Sequence, residues 1–278
     1  MRKEDNMNTA SGLRITMILL GIAVTPVLLS SSSLGNQLSS GSLISVVLLG
    51  GVILTLLSAI TISVGEKARL PTYGIVKYSF GEKAIAINIL MAISLFGWIA
   101  VTANMFGHSV HDLLAQNGIE APLALLVAAG CVILSPLRPL FFHSGQSCPV
   151  AVPVIALVLC YILYVATHTE VSAPAAIAEM STGVAVSTVV GTIIVLVATL
   201  PDFGSFVHNR KHALIAAGMT FLVAYPLLYW AGATPSAISG QGSLLNAMAV
   251  FGAVMPAALL LIFACVTGNA GNMFRGRW

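Results

Sequence analysis

Long apolar runs separated by short polar connections repeat from one end of the chain to the other. The runs are Leu13 to Leu34, Leu43 to Val64, Ala84 to Phe106, Ala121 to Phe142, Val150 to Thr167, Gly183 to Leu200, Ala213 to Ala233 and Leu244 to Val266. Each is close to the roughly 20 residues that carry a helix across hydrocarbon. The pattern therefore predicts eight transmembrane helices in one domain over residues 13–278, preceded by a polar tail over 1–12. Charge alternates with the connections. All 12 Lys and Arg residues lie in the segments 2–14, 65–83, 138, 210–211 and 275–277. The most cationic of these, Val64 to Lys83, holds Lys67, Arg69, Lys77 and Lys83. The opposite connections carry only Asp112, Glu120, Glu170 and Glu179, or no charge at all over 35–42 and 234–243. By the positive-inside bias, both ends and the 65–83 loop are expected on the cytoplasmic side of an inner membrane crossed many times.

Composition agrees with that reading. Of 278 residues 58% are apolar and 8% charged, against about a quarter charged in soluble domains. The chain is read as an all-α polytopic protein whose solvent is the lipid bilayer. A formal charge of +3, split so completely by side, carries no signal for nucleic acid. Cys131, Cys148, Cys160 and Cys265 form no C-x-x-C pair and read as packing residues. The first run could open a signal peptide, but Glu4, Asp5 and the lack of an A-x-A site favour a retained first span.

Polar interruptions inside the runs mark the candidate chemistry. The first run contains Pro26 and ends in Ser30 to Ser33, Leu34, Gly35 and Asn36, which predicts a poorly held helix; the eighth ends in Thr267, Gly268, Asn269, Ala270, Gly271 and Asn272. Either stretch is ordinary fraying at a membrane boundary or a discontinuous helix, whose free backbone groups persist only against protein or a water-filled cavity and can hold a cation and a substrate. Trp98 sits in mid-span, away from the interfacial belts where Trp gathers. It is either packing or a stacking platform for a flat heterocycle. Gly97 beside it permits close helix approach. His208 and His212 are spaced for one helix face, but Arg210 and Lys211 between them oppose a metal, so they read as a solvated rim. Asp202-Phe203-Gly204 spells a kinase metal motif without its companions. Asp202 lies at a span end and every other acid in a connection or tail, so a cation held by carbonyls and hydroxyls fits better than a carboxylate proton relay.

Motifs in consistent order resemble the nucleobase:cation symporter-1 family, also called the purine-cytosine permease family. They are Gly65 to Lys67, Gly74 to Lys77 and Tyr78-Ser79-Phe80-Gly81, then Gly97-Trp98, then Asp202-Phe203 with Asn209 and Lys211, then Thr267 with Asn269. The resemblance runs from Gly12 onward. It implies a partial five-plus-five inverted-repeat transporter with discontinuous first and sixth spans, and no enzymatic activity. Trp98 then matches the aromatic that stacks on the base and Asn269 an amide that reads its edge. Thr192, Ile193 and Val195 fall where the sixth span touches substrate, although Ile193 and Val195 are aliphatic where that family carries polar and aromatic groups. Carbonyls of Gly21 and Val24, with Ala264 and the Thr267 hydroxyl, match a sodium site, and Gly268 stands where a second hydroxyl is usual. No cofactor is implied beyond a coupling cation, Na+ or H+.

The resemblance thus implies a cation-coupled permease for a nucleobase such as cytosine or a related heterocycle. That family has twelve helices where this chain reads as eight, so the sequence is expected to be shortened, able to insert but poor at transport. The rival readings are a non-transporting remnant or membrane interaction protein, and an intramembrane enzyme, which the lack of paired catalytic groups at one depth argues against.

Overall fold

A computed structural model describes residues 10–116, 147–169, 180–257 and 259–260. The described helices are α1 (Gly12–Gln37), α2 (Ser40–Ala68), α3 (Thr72–Phe80), α4 (Ala84–Gln116), α5 (Ser147–His168), α6 (Thr182–Gly191), α7 (Ile194–Ala198), α8 (Leu200–Gly204), α9 (Arg210–Ala217), α10 (Tyr225–Ser239) and α11 (Leu244–Val250). The predicted run 121–142 and the end of the eighth run lie outside the described residues. Among the described residues, Ser40–Ala68, Thr72–Trp98 and Arg210–Ser239 are long and apolar enough to cross a membrane by length and composition.

α1 departs from the expected break. Its backbone stays helical past Pro26 and the serines, and ends only where Leu38 N–H bonds the carbonyl of Leu34 at 3.0 Å. Packing outweighs weak local propensity here. Ser31, Ser32 and Leu34 are buried, and a Cβ on Gly35 would run into the carbonyl of Ala233 on α10. α1 runs parallel to the span Arg210–Ser239 that α9 and α10 form, since Gly12 lies against His212 of α9 at one end and Gly35 against Ala233 of α10 at the other.

The sixth run is where the chain does break. α6 ends at Gly191, Ile193 takes φ −134° and ψ 5°, and Thr199 interrupts the backbone again before Pro201. The broken span lies antiparallel to α1: Met180 N–H bonds Gln37 O at 3.2 Å at one end, and Ala10 exchanges bonds with Phe206 O (2.8 Å) and His208 N–H (3.2 Å) at the other. The seventh run contains a wide π turn over Gly218–Ala224, closed by Tyr225 N–H on Thr220 O. Pro226 follows it, and a π turn relieves the clash that a helical proline makes with the carbonyl four residues earlier.

α2 is the central post, packing on α6, α7, α8, α9 and α10. Glycine allows its closest approach: a Cβ on Gly65 would overlap the backbone of Pro201, and one on Gly204 the carbonyl of Ile62. A Cβ on Gly97, in contrast, would meet nothing among the described residues within 4 Å. Arg69 ends α2 in the left-handed region (φ 54°), unusual for a residue other than glycine. Its guanidinium secures the turn by donating to Val207 O (2.5 Å), His208 O (3.2 Å), Ser205 O (3.4 Å) and Glu66 Oε1 (3.3 Å). Asp202 in turn accepts the Thr72 N–H at 2.6 Å and caps α3. The basic connections at 65–83 and 210–211 thereby meet the start of α1 at one end of the bundle.

Candidate functional site

Among the described residues, the break between α6 and α7 is a built polar feature inside the bundle. Thr192 N–H still bonds Thr188 O at 3.0 Å, but Ile193 N–H turns to Val190 O, three residues back, at 3.3 Å. Val189 O thus loses the donor that a continuing helix would give it. Tyr225 supplies the replacement, its hydroxyl donating to Val189 O at 2.6 Å. One turn later on α10, the Tyr229 hydroxyl lies 2.9 Å from Thr192 Oγ1. The Thr192 hydroxyl also reaches Thr188 O at 2.7 Å. The two rings meet edge to face with centroids 5.2 Å apart, both wholly buried. Burial without partners would cost each hydroxyl a few kcal/mol; these two bonds avoid that.

Of the residues singled out in the sequence, Thr192 and Ile193 stand together at this break, and Ile193 is buried. Gly21 and Val24 lie buried in the middle of α1, where Val24 packs with Ile155 and Leu159 of α5, Ala231 of α10 and Met248 of α11. Because α1 is helical here, the carbonyl deprived of a helical donor is that of Ile22, since Pro26 has no N–H. Trp98 is half-buried on α4, which packs on α3, α11 and α1. Ala264, Thr267 and Asn269 lie outside the described residues.

Tyr225 and Tyr229 were missed in the sequence. Two tyrosines four residues apart within an apolar run, each able to turn a hydroxyl to one face, are a signal that could have found them. His212 was misjudged as a solvated rim: it is half-buried, and its Nδ1 accepts the Gly12 N–H at 3.1 Å. Its ring meets that of His208 edge to face at 5.9 Å.

No family model matches the chain. It is 25% identical over 271 residues to the cytosine permease of Escherichia coli K12, and 24% identical over 277 residues to that of Escherichia coli O157:H7, in each case covering 94% of this chain and 63% of the relative. The chain therefore spans a little under two thirds of the length of the curated relatives it matches. Among solved structures, Mhp1, a nucleobase-cation-symport-1 family transporter in a closed conformation with bromovinylhydantoin bound, superposes with a TM-score of 0.73 at 14% identity, covering 96% of this chain and 66% of that one. The inward-facing conformation of Mhp1 gives 0.69 at 15% identity, covering 97% and 65%. These relatives are transporters rather than enzymes. The chain is thus similar in sequence to bacterial cytosine permeases and carries the all-helical membrane fold of a nucleobase-cation-symport-1 transporter, as its own motifs had indicated.

Proposed function

We propose that the chain forms the binding portion of a cation-coupled permease for a nucleobase or related flat heterocycle, with cytosine as the first candidate. The observation that carries this reading is the likeness to cytosine permeases along 94% of the chain. The broken sixth span inside a helical core supports it, because a break of this kind offers backbone and hydroxyl groups to a small polar ring. In this reading Trp98 stacks on the ring, Thr192 and Ile193 line it from the break, and Asn269 reads its edge. The coupling cation, sodium in the first instance, is assigned to the turn of α1 that holds Gly21 and Val24, where Pro26 leaves the Ile22 carbonyl without its helical donor, with Ala264 and Thr267 as the further candidate ligands. The aliphatic Ile193 favours a ring with one apolar edge.

Equilibrium binding of radiolabelled cytosine, uracil, adenine, allantoin and hydroxymethylpyrimidine to the purified chain tests the proposal, with sodium and pH varied in parallel. Saturable binding of at least one ring is expected; none in a correctly inserted protein would overturn the reading.

Orientation is a separate expectation. With the four native cysteines replaced, single cysteines at Asn117 and Gly240 should react with an impermeant maleimide added to intact cells whose outer membrane admits it. One at Gly74 should react only after lysis. Labelling at Gly74 in intact cells would reverse the topology.

A further inference from the structure

We propose that His212 is a pH-sensitive latch on the first helix: neutral, it holds the start of α1 against α9, and protonated it lets that end go. The proposal goes beyond the transport reading and does not depend on what the chain carries. Three observations converge on it. A backbone N–H can only donate, so the Gly12 N–H, 3.1 Å from Nδ1 of His212, identifies that nitrogen as the bare one and puts the ring proton on Nε2. Gly12 opens α1, where the first amides of a helix have no acceptor within it, so the imidazole caps this one from 200 positions away in the chain. The same end is stitched twice more, by Ala10 N–H on Phe206 O (2.8 Å) and His208 N–H on Ala10 O (3.2 Å). Contact is also close: a Cβ on Gly12 would lie 2.6 Å from the His212 carbonyl oxygen and 3.2 Å from its Cα.

Protonation adds an N–H at the one ring nitrogen that faces a donor. Two N–H groups then oppose each other, and a full positive charge meets the positive end of the α1 dipole. Both changes push the same way, so the bond is present at higher pH and is lost as the pH falls through the range, about 5 to 8, in which imidazoles change charge. The elements packed against α9 are α1, α2 and the π turn. Their charged groups are Arg14 of α1, with Glu66, Lys67 and Arg69 at the end of α2; the π turn has none. Asp202 lies on α8, and His208, Arg210 and Lys211 in the latch segment itself. Both acids are engaged elsewhere, Glu66 with Arg69 and Asp202 with the Thr72 N–H. The far end of α1 has no counterpart to the latch, since there Gly35 packs on Ala233 and Gln37 O accepts from Met180 N–H.

The test uses the full chain in nanodiscs, with the four native cysteines replaced and a nitroxide spin label on Leu13→Cys, an exposed position next to Gly12. Between about pH 8 and about pH 5.5 the mobile fraction of the spectrum should rise about three- to ten-fold, as expected for loss of one hydrogen bond. His212→Asn sets an amide oxygen where Nδ1 stands and cannot titrate, so its mobile fraction should stay low at both pH values. His212→Ala removes the acceptor and should stay high at both. His208, whose ring meets that of His212 edge to face, is the control, and His208→Gln should keep the parent's response. A flat response in the parent, one that survives in His212→Asn, or one that vanishes in His208→Gln overturns the proposal.

A second measurement reads the bond itself. Protection of the Gly12 amide from hydrogen exchange, taken relative to the intrinsic rate at each pH, should fall about three- to ten-fold over the same interval in the parent and hold constant in His212→Asn. The Gly35 amide at the far end should hold constant in both. Equal protection of Gly12 at the two pH values in the parent overturns the latch. Should His212→Ala not yield folded protein, the parent and His212→Asn carry both measurements by themselves. Neither readout needs a ligand, so failure of the latch and failure of the transport reading are seen separately.

Discussion

Gly65→Val is expected to keep most of the protein from reaching its folded state. The first atom of any side chain at Gly65 would lie 2.5 Å from Pro201 Cα and 2.8 Å from its carbonyl carbon, far inside contact distance. The obstacle is backbone on both sides, so no rotamer change relieves it. From the facing helix, a Cβ on Gly204 would sit 3.1 Å from Glu66 N and 3.2 Å from Gly65 Cα, so the two glycines are mutually necessary. Valine there must force α2 and α8 apart, and with them the Arg69 contacts to residues 205–208 and the Asp202 cap on α3. Overpacking alone costs about 1 to 3 kcal/mol. Loss of the buried contacts that follow brings the total to roughly 4 kcal/mol or more. The monodisperse fraction after detergent extraction should fall about ten-fold or more. Gly183→Ala is the control, since nothing described lies within 4 Å of its Cβ, and it should change little. Equal yields of the two variants would show that α2 and α8 are not so closely apposed.

Trp98→Ala should weaken binding of the heterocycle about ten-fold or more, because an aromatic platform contributes about 1 to 3 kcal/mol per stacked base and about 1.4 kcal/mol is a factor of ten. Trp98→Phe should retain most of the affinity, since the stacking face survives. Phe96, two residues earlier on α4 and 73% exposed, separates a site effect from a general one, and Phe96→Ala should bind normally. An unaltered affinity in Trp98→Ala would remove Trp98 from the site.

These two predictions differ in how far the sequence alone supports them. Trp98 was visible because a single indole in mid-span is conspicuous against its apolar neighbours. Gly65 was visible only as part of a motif; its necessity depends on Pro201, 136 positions away, and no local pattern encodes that approach. Apolarity reports whether a segment can leave water, so the run from Leu43 to Val64 located α2 well. It does not report how a backbone is paired. Pro26 and the four serines are local signals of weakness, and packing against α10 overrode them. Gly191, Thr192 and Ile193 carry no proline and little polarity, yet the helix breaks there, because Tyr225 and Tyr229 arrive from another span to satisfy what the break exposes. Asp202, legible in the sequence only as part of the family motif, proves to cap a helix 130 residues distant in the chain.

The parallel pairing of α1 with α10 also sets an order of events during synthesis. α1 packs chiefly on α10, α9 and α5, and only slightly on its neighbour α2. The first helix to leave the ribosome therefore finds most of its partners among the later ones. Until residues 206–239 emerge, Ala10 has no Phe206 or His208 to bond, Gly12 no His212, and Gly35 no Ala233. Thr16, Ser31 and Ser32, buried in the finished protein, must meanwhile face lipid or a chaperone. Contacts this distant in sequence form late and slowly. A chain halted after His168 should accordingly leave the amide of Gly12 open to hydrogen exchange, while the same amide in the 278-residue chain is protected.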